Sequence, residues 1–230
     1  MSTLEVNSID KESGSTLTLG GSGTQVTLHA SATSSGFDSG LASVQVFTSS
    51  GTWTKPATGI TKVVVEVQGA GGSGGVINGS YAGPGAAGGY AKKFINVSSI
   101  SSSTVTIGSG GTGVTSGSGN NGGASSWSDG TNTISCGGGG GGDGTTNYLS
   151  QPGGAATGGD INIPGQDSDY IRGSGAASVL GHGGPDSSAS SSFTGGSSPN
   201  ARGYGAGGSP SYTATSGNGG DGIVIVWEYK

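Results

Sequence analysis

Residues 134–144 read ISCGGGGGGDG, with six consecutive glycines from Gly137 to Gly142. Such a run has three readings: a flexible linker, a loop that cradles a phosphate, or a segment of packed structure. The choice decides the fold, because related tracts recur along the chain. They are 69–75 (GAGGSGG), 83–89 (GPGAAGG), 108–113 (GSGGTG), 117–124 (GSGNNGGA), 137–144 (GGGGGGDG), 153–159 (GGAATGG), 181–184 (GHGG), 203–208 (GYGAGG) and 217–222 (GNGGDG).

Glycine supplies 54 of the 230 residues and proline 7, a composition usually read as low-complexity. Only 9% of residues are charged, so the high-charge half of the disorder signature is missing. The eight Lys and Arg do not cluster and the net charge is −5, which argues against nucleic acid as a partner. No apolar run reaches the length of a membrane span, so membrane insertion is not expected. The opening MSTLEVNSID has neither a basic nor an apolar signal region and does not read as a secretory signal. Cys136 is the single cysteine, which excludes an intrachain disulfide and reads as a small filler.

Helical periodicity is almost absent, whereas short period-two segments are frequent. They fall at 3–9, 16–19, 24–29, 43–47, 62–68 (KVVVEVQ), 90–99, 103–108, 161–163 (INI) and 222–230 (GIVIVWEYK). Residues 124–137 read as a hairpin around Asp129-Gly130. Trp53, Trp127 and Trp227 sit in strand contexts and are expected in the core. The fold class is therefore all-β. A small, polar stretch at 30–40 divides a short N-terminal β-rich module, 1–40, from a glycine-rich domain, 41–230.

Several tracts fit G-x-G-x-x-G, but a dinucleotide fold needs a helix after the turn to hold the pyrophosphate, and none follows. No cofactor is expected. A linker has no reason to be bracketed by strands as apolar as 62–68 and 222–230. The third reading has a physical basis. A glycine chain in the polyproline II conformation turns every three residues and points its N–H and C=O groups outward. Without Cβ atoms, such chains approach closely and bond to one another laterally. Packed tracts are thus expected, with the six-glycine run as a central polyglycine II helix. The bland alternative is a set of flexible loops on a small sandwich.

No catalytic or metal-ligating pattern stands out. His29 and His182 are far apart, no G-x-S-x-G elbow is present, and Asp167 and Asp169 lie in a loop-like DSD. The expected mode of action is binding rather than chemistry. Aromatic and polar residues interrupt the tracts: Asn78 and Tyr81; Asn147, Tyr148 and Gln151; Asp167, Asp169, Tyr170 and Arg172; His182, Asp186 and Phe193; and Tyr212. Sugar recognition uses an aromatic face for the ring and amide or carboxylate groups for the hydroxyls. The bland reading is that these aromatics seal the ends of the bundle.

VQVFTSSGTWTKPATGITKVVVEVQGAGGSGG (44–75), GGYAKKFINVS (88–98), GGDINIPG (158–165), GYGAGG (203–208) and GGDGIVIVWEY (219–229) together resemble, in order, the glycine-rich domain of bacteriophage tail fibres. The resemblance implies a β-framework carrying polyglycine II helices, and an adhesin whose inter-tract loops contact the host surface. Residues 1–29 resemble, more weakly, the N-terminal module of short phage fibre proteins, which implies trimeric attachment. The implied setting is the virion tail fibre. The implied partners are two further copies in a homotrimer, other tail proteins, and a host glycan or outer-membrane protein. The alternatives are a structural virion fibre or adaptor without receptor binding, and a glycan-degrading spike.

Overall fold

The computed structural model describes residues 40–57, 59–147, 149–170, 173–186 and 198–230. The chain divides into two units, Met1–Asp38 and Ser39–Lys230, and the strands expected at 3–29 lie outside the described residues.

The β-branched segments form two five-stranded antiparallel sheets. The first contains β1 (Leu41–Phe47), β3 (Lys62–Gln68), β4 (Tyr90–Asn96), β9 (Ile161–Ile163) and β12 (Ile223–Tyr229), in the order β1-β12-β3-β4-β9. The second contains β2 (Gly51–Thr54), β5 (Ser102–Thr106), β6 (Ser125–Ser128), β7 (Thr133–Cys136) and β8 (Ala156–Thr157), in chain order. A separate pair joins β10 (Gly181–His182) to β11 (Arg202–Gly203). The all-β expectation holds.

Alternation along the strands sends one face of each sheet into a shared core. Val63, Val65, Val67, Val224, Val226 and Ile95 come from the first sheet, and Trp53, Val105, Trp127, Ile134 and Cys136 from the second. The Trp53 and Trp127 rings are tilted at 55° with centroids 6.3 Å apart. Glu228 is fully buried and accepts hydrogen bonds from Trp53 Nε1 and Gln45 Nε2, each at 2.7 Å, and from the Ser43 hydroxyl. Burial without these donors would strongly disfavour a carboxylate there. The Cys136 thiol is pushed up to about 12 by burial, so it stays protonated as a core filler. Trp227 departs from expectation. Both faces of β12 are apolar, and Trp227 points to the outer one, half-buried.

Past the strand ends the chain continues as glycine tracts, whose hydrogen bonds follow a rule of three. In tract 69–76 the amides of Gly69, Gly72 and Gly75 donate to the carbonyls of Gly89, Ala86 and Gly83. Those of Ala70, Ser73 and Val76 donate to Gly123, Asn120 and Gly117, and those of Gly71 and Gly74 to Gly220 and Gly217. Each partner sequence falls by three, so all three donor-side neighbours run oppositely. On the acceptor side, Ala70 and Ser73 receive Gly139 and Gly142, Gly72 and Gly75 receive Gly208 and Ser211, and Gly71 receives Gly111. This threefold rotation among six neighbours is what a three-residue-per-turn polyglycine helix requires.

Side chains obey the same period. The tracts carry Ala70, Ser73, Val76; Ser118, Asn121, Ala124; and Ala206, Ser209, Tyr212, each set three residues apart. Residues 69–76, 82–90 and 205–211 are buried throughout, whereas Gly137, Gly138 and Gly140 are only partly so. The centre of the bundle is therefore not the six-glycine run but the tracts 69–76, 83–89 and 205–211.

Within that run the environment alternates. A Cβ on Gly139 would sit 2.2 Å from the Ala86 carbonyl oxygen, and one on Gly138 2.0 Å from that of Gly122. A Cβ on Gly137, in register with Asp143, meets nothing closer than 3.3 Å. Gly139→Ala is expected to destabilise the protein by about 3 kcal/mol or more, and Gly137→Ala by under about 1 kcal/mol, as read by thermal melting. Equal tolerance of both would contradict the packing.

Candidate functional site

The tracts leave the sandwich and turn back at a common far end. Tract 69–76 runs outward from β3, turns through 77–82, and returns as 83–89 into β4. The tracts following β5 and β7 and the tract entering β12 place further turns at 114–118, 144–147 and 212–215, and residues 167–170, after β9, lie at the same end. At ~3.1 Å per residue, an eight-residue tract puts its turn roughly 25 Å beyond the strand end.

Two of these turns are tied together. Gly79 donates its amide to the Tyr212 carbonyl at 3.3 Å, and the Tyr212 hydroxyl donates to the Gly79 carbonyl at 2.8 Å. The Tyr81 and Tyr212 rings lie 5.7 Å apart at 58°. Gly79 has φ +76°, the left-handed turn position that an L side chain rarely adopts, and Asn78 beside it is exposed. The backbone of Tyr170 lies against Gly83, two residues beyond Tyr81: a Cβ on Gly83 would be 3.4 Å from the Tyr170 carbonyl oxygen. Tyr81, Tyr170 and Tyr212 therefore belong to one end of the bundle, with Tyr170 60% exposed.

Asp143 fixes the adjoining turn. It is buried, its Oδ1 accepts the Thr145 amide at 3.0 Å and hydroxyl at 2.8 Å, and its Oδ2 accepts the Leu149 amide at 2.7 Å. That arrangement presents Asn147 to solvent. Next to it, Ser168 donates its amide to the Gln151 carbonyl and accepts the Gln151 amide on Oγ, both at 2.9 Å. The Gln151 side chain donates to the Leu149 carbonyl at 3.3 Å. Asp167 is held by the bundle itself, accepting the Gly153 amide at 2.8 Å, and Asp169 is exposed.

The remaining candidates are placed differently. His182 pairs with Arg202 where the chain enters tract 205–211, the opposite end of that tract from Tyr212. Asp186 is exposed and follows Pro185, whose carbonyl accepts Ser209 Oγ at 2.6 Å. Tyr148, Arg172 and Phe193 lie outside the described residues. Among the described residues no three His, Cys, Asp or Glu side chains group as metal ligands would. Ser168 is an organiser that the sequence does not announce, whereas an aspartate following Gly-Gly, as Asp143 does, is expected to make local turn hydrogen bonds and makes them. The aspartate directly after a glycine run, in register with its outward positions, was the available signal.

A family model of the glycine-rich domain matches residues 45–229, and the chain belongs to that family. No curated protein matches it.

Asp143→Ala removes three hydrogen bonds, two from Thr145 and one from Leu149, without touching the sandwich. Chymotrypsin is expected to cut at Leu149 at least tenfold faster, with a stability loss of about 1–3 kcal/mol. An unchanged cleavage rate would mean the turn is held by other contacts.

Proposed function

We propose that the chain is a bacteriophage tail-fibre protein, or the tip of one, that attaches the virion to a host cell surface. It acts by adhesion, as a homotrimer mounted on other tail proteins, with a surface glycan or an outer-membrane protein as receptor. The observation that supports this reading is the convergence of Tyr81, Tyr170 and Tyr212, with Asn78 and Asn147, on one end of a bundle whose interior has almost no side chains. The exposed Tyr170 and Tyr212 rings offer stacking faces, and the amides offer both donors and acceptors. A scaffold that fixes its turns by backbone bonds presents these groups at little ordering cost on binding. Loops of this kind tolerate sequence change, because the tracts and not the loops hold the fold.

The test is binding of the fluorescently labelled full chain to a panel of bacterial strains. Tyr170→Ala and Tyr81→Ala are expected to weaken attachment to a responsive strain about tenfold or more each, with melting nearly unchanged for Tyr170→Ala and lowered for Tyr81→Ala, whose ring packs on Tyr212. Attachment to no strain, or attachment indifferent to both substitutions, would refute the adhesin reading and favour a structural fibre component.

A further inference from the structure

The two faces of the β1-β12-β3-β4-β9 sheet are both apolar; one lies on the core, and on the other the described residues cover only the end next to the tracts, at Ile223, Gln68 and Tyr90. Pairing places Val44, Trp227, Val64 and Phe94 in one row across the outer face, and Val46, Ile225, Glu66, Lys92 and Ile161 in the next. Leu41 and Ile163 extend the face at either edge. Six of the exposed large hydrophobic residues of the described chain lie here: Leu41, Val44, Val46, Phe94, Ile161 and Ile163. They come from β1, β4 and β9, so the exposure spans the sheet from one edge to the other.

The single acidic group in the middle of the face is already neutralised. Glu66 Oε1 lies 3.2 Å from Lys92 Nζ and accepts Trp227 Nε1 at 3.1 Å, while its Oε2 accepts the Tyr90 hydroxyl at 2.9 Å. Burial, reinforced by the hydrogen bond to Glu66 and its charge, raises the Tyr90 phenol, which stays protonated as the donor. Covering the middle of this face strands no unpaired charge, the usual obstacle to burying a polar centre; Lys62, opposite Tyr229 in the outermost row, is exposed at the sheet's end, where its ammonium reaches solvent. The same pairing leaves few free polar groups to read sugar hydroxyls, which sets the face apart from the tips.

We propose that this outer face is the surface on which a second copy of the chain docks. The area is what singles out that occupant. With side chains of about 150–200 Å² each, the six exposed residues present roughly 500 Å² of apolar surface. Two such faces together bury about 1,000 Å², the lower bound for a specific protein interface. Every copy brings the same apolar face with the same paired Glu66–Lys92 centre, so faces that converge, two by two or three about an axis as in the homotrimer proposed above, oppose no unpaired central charge. The inference stands apart from the receptor reading, since it concerns the sandwich and not the turns.

The full chain is examined by sedimentation velocity and light scattering at tens of micromolar, alongside Val46→Lys/Phe94→Lys and, as a second variant at the sheet edge, Ile161→Lys. These side chains are half or more exposed, so melting near the wild-type value is expected and certifies each fold. Leu149→Lys, at the far turns, serves as the control. The proposal predicts a multiple of 21.7 kDa for the wild type and the control. It predicts a dissociation constant raised at least about tenfold in both face variants. A wild-type chain that sediments as a single copy overturns the proposal. So does a multimer that keeps its mass in both face variants, because its copies are then held elsewhere, by the N-terminal residues for instance.

Discussion

The structure depends on one requirement: a buried peptide backbone with almost no side chains must still pair its N–H and C=O groups. An unpaired buried group costs about 1–3 kcal/mol, and fixing a glycine costs more entropy than fixing any other residue. A single tract cannot meet that requirement, because a three-residue-per-turn chain makes no bonds within itself. Tract 69–76 meets it by donating in rotation to three antiparallel neighbours and accepting from three parallel ones. The bundle is therefore cooperative by geometry. Each tract is a partner for several others, and a Cβ at most inward positions would overlap a neighbouring carbonyl.

The sandwich makes this arrangement possible. Its strands run directly into the tracts, so the tract ends are anchored by a conventional core of valines and two tryptophans. At the bundle's surface, where no tract remains to accept a bond, side chains take over with the same period. Asp221 Oδ1 accepts Gly110 at 2.7 Å and Asn218 Oδ1 accepts Gly113 at 2.6 Å. Among the described residues the bundle is held chiefly by its backbone, and the turns at its far end carry Asn78, Tyr81, Asn147, Tyr170 and Tyr212.

Much of this was legible in the sequence, unevenly. KVVVEVQ and INI fall on β3 and β9 to the residue, because β-branched alternation bounded by glycine leaves little choice. Trp227 was read as core, since alternation alone does not say which face of a doubly apolar strand is covered. The six-glycine run looked central because of its length. Centrality is instead set by how many tracts surround a segment, and GAGGSGG, interrupted at Ala70 and Ser73, is among those enclosed. The every-third spacing of those interruptions was in plain view and is the better signal. The Gly79–Tyr212 contact joins turns 133 residues apart and left no local trace.

Amide hydrogen exchange on the full chain tests the central claim most directly, followed residue by residue along tract 69–76. Mutually bonded tracts predict that Gly71, Gly72 and Gly74 exchange as slowly as Val65 and Val224 of the sandwich, through global unfolding alone. Exchange of those glycines at the rate of an unprotected chain, while the sandwich stays protected, would show the tracts to be loops and would contradict the account.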